Sequence, residues 1–255
     1  WDEIKREIDA MGQDAEGKNL FSPEDRPDIT ARVFKIKLNA LMAEILKNGI
    51  FGKSVAHIYV IEYQKRGLPH AHILIVLNTK ITTAAQVDPF VCAEVPPNPG
   101  RLQDIVLKQM THRCDKDRCI KEGACSKGFP YEFASETTWN EDAKHPTYRR
   151  RSPQQGGYMS WQTALGSRPA RQLDNRWVVP YNPYLSLRYN AHINVEVVAS
   201  TAKACKYLFK YCHKGGDRAM VRPVVGGGEV AVDEIADFAD VRSVGASEAT
   251  WRIFG

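Results

Sequence analysis

No stretch of the 255 residues approaches the roughly 18 or more uninterrupted apolar residues that a membrane-spanning helix needs, which argues against that class. A charged-then-apolar leader with a small-residue cleavage site is also missing from the start of the chain, so the expectation is a soluble, intracellular protein. Cysteine is sparse: the six present are too few and too unevenly placed for a secreted disulfide framework, which leaves thiols or metal ligands. There is no internal repeat and no low-complexity tract, which excludes solenoids and linkers. Neither sign of charge dominates: 35 Lys and Arg stand against 30 Asp and Glu, a mild excess that fits a nucleic-acid partner and equally many ordinary soluble proteins.

What is present is enough apolar content, 43%, for one large domain or two modest ones. The chain opens at Trp1 without a methionine and closes at Gly255, and it reads as part of something longer. Over residues 28–48, Ile29, Val33, Ile36, Leu38, Leu41, Ile45 and Leu46 recur near every 3.6 residues. This predicts an amphipathic helix that covers a sheet and stops at Gly49. Residues 56–63 and 72–77 are β-branched and apolar, joined by Lys65-Arg66-Gly67-Leu68-Pro69, and predict adjacent antiparallel strands. Residues 79–190, rich in Pro, Gly, Cys and Arg, lack clear periodicity and read as an insertion or subdomain. Residues 193–198 then predict a buried strand, and 201–214 a helix ended by Gly215-Gly216. Gly226-Gly227-Gly228 separates this part from two short helical patterns over about 231–255. The expected core is therefore about 28–78 plus 190–225.

The segment Gly67-Leu68-Pro69-His70-Ala71-His72-Ile73-Leu74 carries the most chemistry. Residues two apart on a strand share a face, so His70 and His72 offer a two-nitrogen metal clamp. The neighbouring strand supplies Glu62, whose charge offsets that of a divalent cation, with Gln64 as the reserve third ligand. The plainer reading is a partly buried strand with two hydrogen-bonded histidines.

Lys206-Tyr207-Leu208-Phe209-Lys210-Tyr211-Cys212-His213-Lys214 lies near the other end. On the predicted helix, Tyr207 and Tyr211 share a face at about 5–6 Å between Cβ atoms, so both hydroxyls can serve one site in turn. Lys210 and Lys214, each three residues on, are placed to pair with phosphate oxygens. A phenol with pKa near 10 needs such help to act as a nucleophile at neutral pH. The plainer reading is an amphipathic helix with its tyrosines packed on the core.

In the middle region, His112, Cys114, Cys119 and Cys125 suffice for one tetrahedral zinc of the three-cysteine, one-histidine type, which would fold an otherwise coreless insertion. The alternative is a set of reduced thiols in a basic loop. Cys92, Cys205 and Cys212 read as small apolar residues. Arg149, Arg150 and Arg151, then Arg168, Arg171 and Arg176, are interleaved with Trp161, Trp177, Tyr181 and Tyr184. With Lys206 they form a candidate track for single-stranded DNA, cations on phosphates and rings on bases; the alternative is a solvated charged face.

The run Glu62-Tyr63-Gln64-Lys65-Arg66-Gly67-Leu68-Pro69-His70-Ala71-His72-Ile73-Leu74, together with residues 206–218, resembles the HUH endonucleases, most closely the Rep domain of Helitron transposons. That domain is also called the Helitron helicase-like N-terminal domain. Asp25-Arg26-Pro27-Asp28, residues 174–183 and His192-Ile193-Asn194-Val195-Glu196 extend the resemblance over most of the chain. It implies an α+β fold: a central antiparallel sheet flanked by helices, with the histidine pair on a middle strand, the tyrosine helix opposite, and the Cys- and Arg-rich insertion added. It also implies a rolling-circle transposase nickase and strand transferase with Mg²⁺ or Mn²⁺ on His70 and His72. Tyr207 or Tyr211 would attack a phosphodiester of single-stranded DNA, retain the 5′ phosphate and release a 3′ hydroxyl. The position of Glu62, eight residues before His70, matches a carboxylate in related viral initiators. The partners implied are single-stranded DNA at a transposon end and a helicase domain; no Gly-x-x-x-x-Gly-Lys-Ser/Thr loop is present, so the helicase lies outside this sequence. Action in the nucleus follows if the host is eukaryotic. Two other classes compete: a non-catalytic DNA-binding module on the same fold, and a two-histidine, one-carboxylate metalloenzyme, which needs no tyrosine pair.

Overall fold

Pro27 cannot donate a backbone N–H, and the first turn of a helix needs none, so the long helix of residues 27–46, α2, begins there. In a computed structural model it spans Pro27–Leu46, and Gly49 follows at φ 63° to turn the chain away. The structure describes residues 1–63, 68–115, 119–140, 143, 145–162, 170–198, 218–220, 240–242 and 244–254. The chain divides into two compact units, Trp1–Asn78 with Cys205–Gly255, and Thr79–Ala204.

In the first unit, α1 (Asp2–Asp9) buries Ile4 and Ile8, four apart on one face, and packs on α2. Helix α2 buries Ala31, Leu38, Met42 and Ile45, while Ile36, expected on that face, is 62% exposed. Leu38 and Ile45 belong to the expected stripe, and Ala31 and Met42 widen it on the side away from Ile36. Phe34 joins Trp1 (ring centroids 6.3 Å apart) to Trp251 (5.9 Å) of a C-terminal helix, Ala246–Phe254. Strands β1 (Ser54–Tyr63) and β2 (Pro69–Leu77) pair antiparallel as expected, and α2 touches β2. Arg218–Met220 and Asp240–Arg242 form a second short antiparallel pair.

The second unit contains α3 (Ala84–Val87), α4 (Arg101–Gln109), the hairpin β3 (Ile120–Lys121) with β4 (Ala124–Cys125), the pair β5 (Met159–Gln162) with β6 (Arg171–Asp174), and α5 (Pro183–Tyr189). Two apolar clusters hold it: Val95, Val106, Met110, Val178 and Tyr181 in one, Val87, Val91, Ala93 and Tyr148 in the other. The insertion is thus not coreless. Its core is assembled from single apolar residues on loops and short elements, which leaves no periodic signature.

The fold is mixed α and β with small antiparallel sheets, and among the described residues the strands pair two by two rather than in one central sheet. Residues 193–198, expected to be a buried strand, are irregular, part-exposed chain inside the second unit. Asn194 makes an isolated bridge to Tyr181, Val195 N–H donates to Pro180 O (3.0 Å), and Val197 N–H donates to the Tyr148 hydroxyl (2.9 Å). Its backbone groups are met one at a time by unlike partners, so no ladder forms. The predicted helix over 201–214, with Cys205 and Cys212, lies outside the described residues.

Candidate metal centres and nucleic-acid surface

Across the β1–β2 ladder Glu62 stands opposite His70 and Val60 opposite His72, which puts Glu62, His70 and His72 on one face. The two imidazoles lie nearly parallel, 17° apart in plane with centroids separated by 5.7 Å. The Glu62 carboxylate reaches diagonally to His72, Oε2 to Nε2 at 3.0 Å. Both side chains are largely buried. The alternation of side chains on paired strands therefore puts both imidazoles and the carboxylate on one face, but their ligand atoms do not converge into a compact metal-binding group. Gln64, Lys206, Tyr207, Lys210, Tyr211 and Lys214 lie outside the described residues. Tyr63, on the opposite face, is not a substitute nucleophile: burial, and then the charge of Glu248, hold its phenol well above the usual range.

The second centre is tighter. Ligand atoms of His112, Cys114, Cys119 and Cys125 all lie within 4.8 Å of one another, and among the described residues this is the group compact enough to hold a metal ion such as zinc. A hairpin builds half of it. Glu122 and Gly123 both take positive φ, 52° and 80°, the backbone of a two-residue type I′ turn, and Cys125 pairs with Ile120 beside Cys119. The extended segment before it presents His112 and Cys114 two residues apart. His112 Nε2 lies 3.5 Å from Cys119 Sγ and 3.3 Å from Cys125 Sγ. The imidazole stacks on Phe129 at 4.3 Å, and its backbone N–H donates to Trp177 O (2.8 Å).

Charge at this centre is uneven. Burial, and then the neighbouring Cys125, push the Cys114 thiol up to about 12. Burial also acts to raise Cys125, but backbone N–H bonds from Lys127 and Phe129 more than offset it, and the thiol sits below its usual range. Burial, then Arg171 and Lys127, lower the His112 imidazole, which favours the neutral form that ligates metal.

The expected arginine track is largely used inside the second unit. Arg150 is 3% exposed and its guanidinium donates to the carbonyls of Ala93 (3.2 Å), Asn175 (2.7 Å) and Val178 (2.7 Å); it is a structural strut, not a DNA contact. Three carbonyls packed around one spot need a donor, and nothing in Arg149-Arg150-Arg151 shows which of the three turns inward. Arg151 and Arg149 both bind the buried Glu94, and Arg176 pairs with Asp174 while lying over Phe133. Tyr181, 1% exposed, is core, with its hydroxyl on Glu94 O. Trp161, 67% exposed, and Tyr184 remain available to stack, and the Arg149 side chain stays half-exposed beside Glu94. Arg168 lies outside the described residues. The anchors Glu94 and Asn175 were not anticipated: Asn175 accepts from Val95 N–H and donates to Arg151 O, contacts far apart in sequence that no local pattern signals.

These features define a mixed α and β protein with a histidine–carboxylate cluster on an antiparallel ribbon and a separate cysteine–histidine centre. Residues 1–75 match the family model described as the Helitron helicase-like domain at N-terminus, a span that includes Glu62, His70 and His72. That match associates the chain with Helitron proteins and ends before the cysteine–histidine centre. No curated protein matches the chain.

Proposed function

We propose that the chain is a metal-dependent single-strand DNA endonuclease and strand transferase of a Helitron-like rolling-circle transposon. The observation that carries the reading is the gathering of Glu62, His70 and His72 on one face of β1–β2, within the segment that matches the Helitron model. His70, His72 and Glu62 would hold Mg²⁺ or Mn²⁺, with Gln64 in reserve, and the ion would polarise the scissile phosphate and offset developing charge. Tyr207 or Tyr211 supplies the nucleophile. Its oxygen bonds to phosphorus, the bond to the 3′ oxygen breaks, and the strand leaves with a 3′ hydroxyl while the 5′ phosphate stays on tyrosine. Lys210 and Lys214 pair with phosphate oxygens and lower the cost of phenol ionisation. The second tyrosine repeats the attack on a second strand, which gives transfer. The partners are a transposon end and a helicase domain, and the site of action is the nucleus in a eukaryotic host. Zinc at His112, Cys114, Cys119 and Cys125 is structural in this reading.

The test is a denaturing-gel assay with Mg²⁺ or Mn²⁺ and single-stranded DNA. The expected product is a covalent adduct that survives denaturation, is kept by at least one of Tyr207→Phe and Tyr211→Phe, and is lost in the double variant. An adduct formed by the double variant places the nucleophile elsewhere. The 3.0 Å contact between Glu62 and His72 favours a second reading, in which the ribbon is closed on itself and the fold binds DNA without cutting it. Tight binding with no cleavage in either metal would select that reading.

A further inference from the structure

The cysteine–histidine centre shows more than four ligand atoms in one place. In a tetrahedron with metal–sulfur bonds near 2.3 Å and metal–nitrogen bonds near 2.0 Å, sulfur and nitrogen stand about 3.5 Å apart. The two such distances here are 3.3 and 3.5 Å. Cys114, Cys119 and Cys125 are all free of disulfides. Their sulfurs also collect N–H donors: Asp115 N–H on Cys119 Sγ at 3.3 Å, and Lys127 and Phe129 N–H on Cys125. Neutral thiols are weak acceptors, whereas thiolates gain from every such bond.

Cations stand near the same spot. Arg171 lies over Trp177, whose carbonyl accepts the His112 N–H at 2.8 Å; Arg171 and Lys127 act electrostatically on His112, and Arg113 acts on Arg171. Arg171 is fixed from two sides: its Nε–H donates to Gln162 Oε1 (2.9 Å), and its guanidinium lies over the Trp177 ring at 4.3 Å. Its Nη2 is buried with no hydrogen-bond partner among the described residues. A half-buried cation repelled by Arg113 and left with an idle N–H group is costly unless anions stand nearby; Cys114 and Asp174 both act favourably on it, but Asp174 already pairs with Arg176 at 2.8 Å. A divalent zinc with three thiolates and one neutral imidazole carries a net charge of about −1, which adds to the share of Asp174 that Arg176 leaves over.

We propose that Arg171 is the positioning residue of a three-thiolate, one-imidazole zinc centre, held on Trp177 and Gln162 so that its charge offsets the excess negative charge of the metal–thiolate group. This rests on the structural-zinc reading and adds to it a residue on a different hairpin, β5–β6, that sets how tightly the metal is held.

The experiment uses the full chain, purified without chelators. Metal content is measured by elemental analysis, affinity by competition with a chromophoric chelator, and ligand type by thiolate-to-metal absorption after cobalt substitution. The wild-type chain should hold a zinc ion that His72→Ala keeps and Cys119→Ser loses. His112→Cys, which keeps four ligands but makes all of them sulfur, should retain the metal with an altered cobalt spectrum, and separates loss of a ligand from loss of the fold. Arg171→Gln should still bind zinc, with affinity lower by about 10- to 100-fold, and Arg171→Lys should recover part of the loss. A wild-type chain without metal at this centre, or with metal unaffected by Cys119→Ser, overturns the zinc reading. Zinc bound by wild type and by Arg171→Gln with equal affinity overturns the role of Arg171 and leaves the zinc reading standing.

Discussion

Glu62 stands opposite His70 in the strand register, yet its carboxylate bonds His72, two residues further along β2, at 3.0 Å. The diagonal matters because it engages the carboxylate with one imidazole of a stacked pair. A cation binding here has to share Glu62 with His72. Glu62→Gln should therefore weaken Mn²⁺ binding by about tenfold or more and lower cleavage in parallel, while Glu62→Asp, one methylene shorter, should recover only part. Titration of Mn²⁺ monitored by its electron paramagnetic resonance signal checks the first, and the denaturing gel checks the second. Equal Mn²⁺ affinity in wild type and Glu62→Gln would leave Glu62 as a purely structural partner of His72.

Neighbouring arginines should separate cleanly into structure and surface. Arg150→Met leaves the carbonyls of Ala93, Asn175 and Val178 without their donor inside the core, at about 1–3 kcal/mol for each group left unmet. It should lower the urea midpoint strongly. Burial pulls the Arg150 guanidinium down to about 10, so it is still charged at neutral pH and Met removes a true cation. Arg149→Ala removes one of two guanidiniums on the buried Glu94, which Arg151 still holds, and should lower the urea midpoint far less. If Arg149 grips a phosphate of single-stranded DNA, the slope of log affinity against log salt falls by about 0.7 in the variant. An unchanged slope would take Arg149 out of the DNA-binding surface.

The contrast between these two residues marks where sequence reading works. Alternation and breakers in residues 54–77 dictated paired strands, and that pairing alone brought Glu62 to the histidines. Pro27 and Gly49 bracketed α2, and the spacing of His112, Cys114, Cys119 and Cys125 disclosed their convergence. Such features are local, so periodicity and turn chemistry express them. The core of the second unit is not local: Val95 meets Val178 and Tyr181, and Glu94 meets Arg151, only after long loops have closed. Which of three consecutive arginines turns inward depends on three carbonyls from other segments, and the outward turn of Ile36 depends on what α1 and the C-terminal helix cover.

Acid should act on the second unit through Glu94. Burial alone would raise its carboxyl, but hydrogen bonds and charge from Arg151, then the charge of Arg149, bring it below its ordinary value of 4.5. In a group depressed on folding, the unfolded chain binds the proton first, so the stabilisation is complete above about pH 4.5 and is lost as pH falls through the lower folded value. Glu94→Gln should be less stable than wild type at neutral pH and lose less on acidification. Hydrogen exchange over residues 93–95 and 149–151 at about pH 6 and about pH 3.5 measures both. Parallel losses in the two proteins would mean that another carboxylate controls the acid response.

Metal removal should loosen the cysteine–histidine centre and leave the rest of its unit standing. The unit has its own apolar clusters, and the chain on either side of His112 is tied down independently: Val179 N–H donates to Met110 O at 2.7 Å, and His112 N–H to Trp177 O at 2.8 Å. What lacks other support is the short β3–β4 hairpin, two residues on each strand, too small to persist alone in water. A strong chelator should therefore raise hydrogen exchange over the hairpin, from Cys119 through Gly128, with α4 and the His112 and Tyr131 N–H groups protected and far-ultraviolet circular dichroism nearly unchanged. Loss of protection across α4 and residues 174–181 as well would show that the metal holds the whole unit together, and that its apolar clusters are too weak to fold without it.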